Sequence, residues 1–259
     1  MTPAAEETLE FYARQAAWSG AYHGQVTGRH QARAAWVRGL VGAPPKRALE
    51  LGAGGGQDAI ALAEQGYDVV AVEQVPALVR HAHVLLQQHP QAAARVRFLT
   101  ADFYRVALPS AAFDVVYYWD GFGIGSDAAQ RALLRRIRDW LTPAGLALIE
   151  VYTPWHAAKS VGVRQRVGQA VRTYDFDAAA CRWIDRWQHT TSGVAVQQSL
   201  RCYSPADLRL LLEGTGLVLA QVYPQGMMDY ARGRYIPSAP LTQAMTYVAL
   251  LKPVAPGSA

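Results

Sequence analysis

Cysteine and long apolar runs are both scarce in this sequence. Its 259 residues include two cysteines, Cys181 and Cys202, which are too few for a disulfide framework or a cysteine-based zinc site. No uninterrupted apolar run approaches the ~20 residues that span a bilayer. The first ten residues carry Glu6, Glu7 and Glu10, which is not typical of a secretory signal. We therefore expect a cytoplasmic protein without a membrane partner.

Lysine is scarce as well. The chain has three lysines, so arginine carries most of the formal net charge of +5. Because the arginines are interspersed with 20 acidic residues, the sequence lacks the clustered basic pattern of a nucleic-acid binder. Hydrophobic residues make up 51% of the chain and charged residues 17%, a composition that builds a core and excludes disorder and coiled coil. We expect a globular protein without a nucleic-acid partner.

Short β-rich runs alternate with helical runs in the middle of the chain. The predicted strands cover residues 47–51, 68–72, 96–99, 113–119 and 146–152, and the predicted helices cover 58–65, 77–88 and 128–141. Right-handed crossovers place such helices on both faces of a parallel sheet. The alternation therefore predicts an α/β fold with three layers, to which strands at 217–223 and 244–252 are added.

Two segments depart from this alternation. Residues 1–44 predict two helices interrupted by glycines, and we expect them to form an N-terminal helical lid on a domain that covers residues 45–259. Residues at about 155–203 predict an insert. It begins with a basic helical stretch and ends in a hairpin of two alternating segments, 181–190 and 194–203, around Thr191, Ser192 and Gly193.

A glycine-rich turn follows the first predicted strand. In the sequence ALELGAGGGQDAIALA the strand ends at Glu50 and Leu51, the turn covers residues 52–56, and a helix begins at Asp58. Glycine allows positive φ and lets a ligand lie directly on the main chain. Such a turn at the carboxyl edge of a parallel sheet predicts a ligand platform.

Glycine spacing alone does not identify the ligand. The dinucleotide fingerprint read from Gly52 requires glycine or alanine at position 57, where Gln57 stands. Read from Gly54, the fingerprint is intact through Gly56 and Ala59. An NAD-dependent oxidoreductase is therefore one alternative.

Acidic residues around the turn indicate which ligand it binds. Glu50 precedes the glycines in the pattern E-x-G-x-G-x-G, which resembles motif I of the class I S-adenosylmethionine-dependent methyltransferases. Glu73 ends the second strand, where a carboxylate can accept hydrogen bonds from both ribose hydroxyls. Asp102 follows the third strand, where that family has an acid that accepts from the adenine amino group.

The resemblance implies a Rossmann-like methyltransferase fold, with a mostly parallel seven-stranded sheet and an antiparallel last strand. It also implies S-adenosylmethionine as cofactor, with the acid of motif I near its amino-acid end and an amide of residue 101 or 103 donating to adenine. The implied cofactor-binding residues are Glu50, Gly52, Ala53, Gly54, Gly56, Glu73, Gln74, Ala101, Asp102, Phe103 and Trp119.

Candidate catalytic residues come from three segments. Asp120 follows the fourth strand, where nucleic-acid amino methyltransferases of this superfamily usually carry D/N-P-P-Y/F; Asp120-Gly121-Phe122-Gly123 departs from that motif and argues against base methylation. His156 follows the fifth strand and is the predicted general base, because imidazole titrates near neutral pH. Tyr22 is expected to reach the cofactor or the acceptor from the lid. No metal is expected, since Asp120 and Asp127 alone make no clustered acid set.

The sequence thus predicts methyl transfer from S-adenosylmethionine to an oxygen or nitrogen of a small molecule. The aromatic residues of the insert and of the C-terminal loop favour an aromatic or partly apolar acceptor, held in a pocket between the insert and the lid. Two alternatives stay open: the NAD-dependent oxidoreductase, and a methyltransferase-like protein that binds the cofactor without transferring its methyl group.

Overall fold

A computed structural model describes residues 3–254, with side chains from residue 6 onward. The helices are α1 (Pro3–Ser19), α2 (Gly28–Val41), α3 (Gln57–Glu64), α4 (Pro76–Gln87), α5 (Pro90–Ala93), α6 (Asp127–Trp140), α7 (Pro154–Lys159) and α8 (Pro205–Leu212). The strands are β1 (Arg47–Leu51), β2 (Asp68–Glu73), β3 (Val96–Thr100), β4 (Phe113–Tyr118), β5 (Leu141–Tyr152), β6 (Arg164–Val167), β7 (Ala170–Asp177), β8 (Arg182–His189), β9 (Ala195–Arg201), β10 (Leu217–Pro224), β11 (Met227–Asp229), β12 (Arg234–Ile236) and β13 (Thr246–Pro253). Within this range no helix combines the length and the apolar character that crossing a bilayer requires.

Seven strands form the central sheet, in the order β10-β13-β5-β4-β1-β2-β3. The pairs β1–β2, β1–β4, β2–β3 and β4–β5 are parallel, whereas β13 runs antiparallel to both of its neighbours, β5 and β10. The mostly parallel sheet with an antiparallel last strand is therefore confirmed. Strand order reverses between β1 and β4, and a crevice at the carboxyl ends of such strands is where open α/β sheets bind ligands.

Helices cover both faces of this sheet, so the three-layer arrangement is confirmed too. One buried cluster joins Ala48 and its neighbours on the sheet to helices α2 to α5. A second cluster joins Leu49, Leu51 and the other face to α6 and α8. Successive side chains of β1 thus point to opposite faces, as the period of a strand requires.

A separate four-stranded antiparallel sheet, in the order β6-β7-β8-β9, fills most of the predicted insert. The hairpin of β8 and β9 is confirmed. The basic helical stretch is wrong beyond α7, because residues 164–177 form a second hairpin of β6 and β7. β7 pairs with β8 along its whole length, and such pairing outweighs the local preference of a short arginine-rich segment.

The N-terminal helices pack in two different places. Helix α1 packs against β9 of the small sheet, and α2 packs against α3 of the central domain. Phe11 of α1 is buried in one cluster with Ala170 and Trp187. The segment at residues 20–27 connects the two helices and passes over the glycine-rich turn, where Gly55 faces the main chain of Tyr22.

Candidate functional site

The glycine-rich turn is bare main chain held by a carboxylate. The N–H group of Gly54 donates a hydrogen bond of 2.8 Å to Oε2 of Glu73. Gly56 has φ 83°, and a Cβ at this position would lie 2.6 Å from the ring of Phe98. A side chain at position 56 would therefore be both strained and in collision, which explains why the sequence has glycine there.

Two cavities meet at this turn. The first cavity has a volume of about 760 Å³ and the second about 1110 Å³. They share Tyr22, Gly52, Gly54, Trp119 and Asp120. The carboxyl ends of β1 and β4 therefore lie between two connected spaces, each large enough for part of a metabolite-sized ligand.

Besides the shared Gly52, Gly54 and Trp119, four sequence-predicted cofactor residues line the first cavity: Glu73, Gln74, Asp102 and Phe103. Burial raises the pKa of the Glu73 carboxyl, although the N–H groups of Val75 and Gly54 donate to it and oppose this shift. Oδ1 of Asp102 accepts a hydrogen bond of 2.8 Å from the N–H group of Tyr104. These main-chain donors fix the orientation of both carboxyl groups.

Glu50 lies instead in the second cavity. It is 3% exposed, and the hydroxyl of Tyr117 donates to its Oε2 at 3.2 Å. Burial raises the pKa of Glu50 well above its usual value, and the negative charge of Asp58 raises it further. Nη1 of Arg33 pairs with Oδ2 of Asp58 at 2.8 Å, and the guanidinium stacks 4.8 Å from the ring of Trp119.

Three other predicted cofactor residues differ in their access to the cavities. Ala53 lines the second cavity. Gly56 is in the lining of neither cavity, and its Cα faces the ring of Phe98. Ala101 is also outside both linings, and its N–H group donates to the carbonyl of Glu73 at 3.0 Å. The expectation that Ala101 donates its amide to adenine is therefore wrong, because this amide already donates to a main-chain carbonyl. Phe103, the other candidate, does reach the first cavity.

Asp120 occupies the junction of the two cavities in a strained conformation. Its φ is 56°, and a non-glycine residue in the left-handed region carries a conformational cost that is frequent at functional sites. The hydroxyl of Tyr152 donates to Oδ1 at 2.8 Å, and that of Tyr22 donates to Oδ2 at 3.4 Å. Burial raises the pKa of both tyrosines, so that both hydroxyls stay protonated donors. The N–H group of Asp120 donates to Glu150 at 3.2 Å.

The structure does not bring His156 to these residues. Its side chain is 4% exposed, belongs to the lining of neither cavity, and has Nε2 within 3.0 Å of the Tyr230 hydroxyl. The ring also packs edge-on against Trp183. Burial lowers the pKa of His156 to about 4, which makes the imidazole neutral and weakly basic at neutral pH.

Sequence reasoning missed polar residues that the insert contributes to the first cavity. Arg182 from β8 and Gln197, Gln198 and Ser199 from β9 all line it. Gln198 is 9% exposed, and its Nε2 is buried without a hydrogen-bond partner of acceptable geometry. No local motif marks these positions, because they reach the site only through the pairing of the small sheet and its contact with α1.

Comparison with known proteins identifies the family. A family model described as a methyltransferase domain matches residues 28–222, which is more than half of the chain. The chain therefore belongs to this family and is an S-adenosylmethionine-dependent methyltransferase. This membership removes the NAD-dependent oxidoreductase that glycine spacing had left open. The chain matches none of the curated proteins with which it was compared.

Solved structures share the fold. The CcbJ methyltransferase from Streptomyces caelestis has a TM-score of 0.71 and 21% identity, covering 91% of this chain and 93% of that chain. An S-adenosylmethionine-dependent methyltransferase from Clostridium acetobutylicum has a TM-score of 0.68 and 11% identity, covering 89% and 93%. The 1,6-didemethyltoxoflavin-N1-methyltransferase from Burkholderia thailandensis has a TM-score of 0.53 and 18% identity, covering 88% and 79%. At sequence identities this low, the comparisons show a shared fold and no more.

The residues at the junction fit the family's cofactor. A Cβ at position 54 would lie 3.0 Å from the ring of Tyr22, and one at position 55 would lie 1.7 Å from its carbonyl oxygen. The turn is therefore a narrow cradle that larger residues would fill. Two buried acids, Glu50 and Glu73, lie on opposite sides of it, and carboxylates suit the ribose hydroxyls and the amino group of an adenosyl amino acid.

Proposed function

We propose that this methyltransferase acts on an oxygen or nitrogen of a small, aromatic or partly apolar metabolite. The observation that carries the proposal is the junction itself, where two cavities meet at Gly52, Gly54 and Asp120. One ligand can extend across the glycine-rich turn while another approaches Asp120. Methyl transfer needs such an arrangement, because the two reacting atoms must be aligned and in contact.

Residues of both cavities would hold the cofactor. In the first cavity, Glu73 would accept from the ribose hydroxyls, and Asp102 from the adenine amino group. In the second, Glu50 would accept from the amino group of an amino acid, and Arg33 would donate to its carboxylate. When bound, S-adenosylmethionine supplies a methyl group that its sulfonium has already activated.

The protein's own contribution is to orient the acceptor and exclude water. Asp120 is held by two tyrosine hydroxyls and offers a fixed carboxylate to the acceptor. Well-aligned reactants reach effective molarities of ~10⁵–10⁸ M, so that few catalytic groups are needed. Tyr22 and Asp120 are therefore the proposed catalytic residues, and the proposal does not use the buried His156.

The proposed acceptor pocket lies between the N-terminal segment and the insert. Tyr12 of α1 and Gln198 of β9 line the first cavity on that side. Aromatic neighbours favour a flat or partly apolar acceptor. The Burkholderia thailandensis structure supports a small-molecule acceptor, since it contains 1,6-didemethyltoxoflavin together with S-adenosylhomocysteine.

Two measurements test the proposal. Isothermal titration with S-adenosylhomocysteine should give one binding site, and incubation with methyl-labelled S-adenosylmethionine and a metabolite mixture should give a labelled small product. Binding without any labelled product would instead favour the methyltransferase-like protein that does not transfer its methyl group. Failure to bind S-adenosylhomocysteine would contradict the site.

A further inference from the structure

The charge and hydrogen-bonding groups of the first cavity specify the acceptor further than an oxygen or nitrogen. We propose that the acceptor is an amine that also carries a carbonyl oxygen, with its nitrogen at Asp120 and its oxygen at Nε2 of Gln198. The inference rests on the proposed function and names the substrate class of that same site.

Carboxylates dominate the charge of the first cavity. Its lining includes four acids, Glu7, Glu73, Asp102 and Asp120, and two arginines, Arg105 and Arg182. Arg105 lies 3.8 Å from Asp102. The guanidinium of Arg182 donates to neutral groups, the carbonyls of Gly125 and Ser199 and the hydroxyl of Ser199. The lining is therefore suited to a ligand that brings positive charge.

Glu73 and Asp102 are assigned to the cofactor, so Asp120 is the carboxylate of this lining, at the junction of the two cavities, that remains available to the acceptor. Across residues 3–254 no arginine, lysine or histidine nitrogen lies within 4.0 Å of its carboxylate, which has only tyrosine hydroxyls as side-chain partners. A second acid, the half-buried Glu150, accepts the N–H group of Asp120 from the side of the second cavity. The position therefore attracts a cation or an N–H donor.

The chemistry of methyl transfer separates nitrogen from oxygen at this position. An amine reacts in its neutral form, after any ammonium has released a proton to solvent: its nitrogen lone pair forms the N–CH₃ bond as the S–CH₃ bond breaks. Sulfur keeps the bonding electrons, and the positive charge moves to the nitrogen, which later releases a proton to solvent. Asp120 stabilises that developing charge. A hydroxyl must instead lose its proton to become a good nucleophile, and an anion forming beside Asp120 is disfavoured by like charge.

Gln198 supplies the second recognition group independently. Its Nε2 is buried without a partner of acceptable geometry, and a buried donor left unpaired costs about 1–3 kcal/mol. The side chain lines the first cavity, so an oxygen of the bound acceptor can accept from it. The hydroxyl of Tyr12 lies beside Gln198: burial and, to a lesser extent, the charge of Asp120 raise the pKa of Tyr12, whereas a weak contact with the Gln198 side chain opposes this shift. Because an amide nitrogen carries two hydrogens, that contact leaves at least one of them for the acceptor. Tyr12 thus lies between the two recognition groups.

Three matched probes test the assignment on the protein loaded with S-adenosylhomocysteine. L-Phenylalaninamide has both an amine and a carbonyl; 3-phenyllactamide replaces the amine by a hydroxyl; 2-phenylethylamine lacks the carbonyl. We expect isothermal titration to show L-phenylalaninamide binding about tenfold more tightly than 3-phenyllactamide, and about threefold to tenfold more tightly than 2-phenylethylamine. Measurements on the wild-type protein are enough to overturn the proposal: either an equal affinity for the amine and the hydroxyl probe, or no binding of L-phenylalaninamide, would do so.

Variants assign each preference to its residue. Asp120→Asn should remove the preference for the amine and keep that for the carbonyl, and Gln198→Leu should do the reverse. The matched control Asp139→Asn changes an exposed acid of α6 outside both linings and should keep both preferences. An amine preference that survives in Asp120→Asn contradicts the proposal. If S-adenosylhomocysteine itself fails to bind, the proposed function fails first and this inference with it; if it binds and the probes are not distinguished, this inference alone is wrong.

Discussion

Nε2 of Gln57 donates hydrogen bonds to the carbonyl oxygens of Tyr22, at 2.9 Å, and of Gly24, at 2.8 Å. Gln57 is the residue at which the sequence departs from one reading of the dinucleotide fingerprint. The structure gives that departure a physical reason, because the glutamine attaches the N-terminal segment to the first turn of α3. Tyr22 is held with φ 68° directly over the glycine-rich turn.

Gln57→Ala is expected to loosen the segment and weaken cofactor binding. Losing two hydrogen bonds of about 1 kcal/mol each should reduce the affinity for S-adenosylhomocysteine about tenfold or more. Hydrogen exchange at residues 20–27 should increase in the same variant. Gln87→Ala, an exposed glutamine of α4, is the matched control, and an equal affinity in both variants would contradict the role of Gln57.

Gly54→Asp is expected to abolish cofactor binding. The new Cβ would lie 3.0 Å from the ring of Tyr22, at a main-chain φ of 54°, and the new carboxylate would stand beside Glu73. We expect a loss of at least about 100-fold in affinity for S-adenosylhomocysteine, measured by titration.

Gly162→Asp separates this effect from backbone strain. Gly162 also has a positive φ, 79°, but nothing lies within 4 Å of its Cβ position. It should lower the midpoint of thermal unfolding while the affinity stays unchanged. A similar loss of affinity in both glycine variants would contradict the placement of the cofactor at Gly54.

Asp102→Ala should weaken cofactor binding about tenfold, because one charge-assisted hydrogen bond to the adenine amino group is lost. The fold should be retained, since the side chain also accepts only a local N–H group from Tyr104 and lies 3.8 Å from Arg105. Titration and circular dichroism measure the two outcomes. Asp68→Ala, which removes an exposed ion pair with Arg95, should change neither, since exposed pairs contribute little.

His156 should make the protein sensitive to acid. Its pKa falls from 6.5 in the unfolded chain to about 4 in the folded protein, so the folded state prefers the neutral ring. The resulting stability is present above pH 6.5 and is lost as the pH falls towards 4, by up to about 3 kcal/mol. Denaturant unfolding of His156→Gln should show a flatter decline of the free energy of unfolding over this window than the wild type. A decline as steep as that of the wild type, or one equally flattened in the exposed control His83→Gln, would show that His156 is not the group responsible.

Much of the fold could be predicted because its signals are local. The alternation of apolar runs from Arg47 to Tyr152 predicts the strands and helices of the central domain, and the glycines between Leu51 and Gln57 predict the turn. The hairpin of β6 and β7 was not predicted, because a four-residue strand with two arginines has little apolar periodicity of its own. Its conformation depends on pairing with β8, which the composition of the segment itself does not indicate.

The site could be predicted in part for the same reason. Glu50 and Glu73 lie at the carboxyl ends of β1 and β2, and Asp102 and Asp120 follow β3 and β4. All four can therefore be found by counting along the sequence. Gln198 could not be found, because the position depends on how the small sheet packs against α1. His156 is four residues beyond the end of β5, but helix α7 turns its ring towards Tyr230 and away from the junction. The end of a strand predicts that the following residues lie at the edge of the sheet. It does not predict in which direction their side chains point.

A crystal structure of the protein with S-adenosylhomocysteine tests the central claim most directly. The account predicts adenosine against Glu73 and Asp102, the sulfur at the glycine-rich turn facing Asp120, and the amino-acid end directed to Glu50. Density for the ligand elsewhere, or no ligand at the junction under saturating conditions, would contradict it.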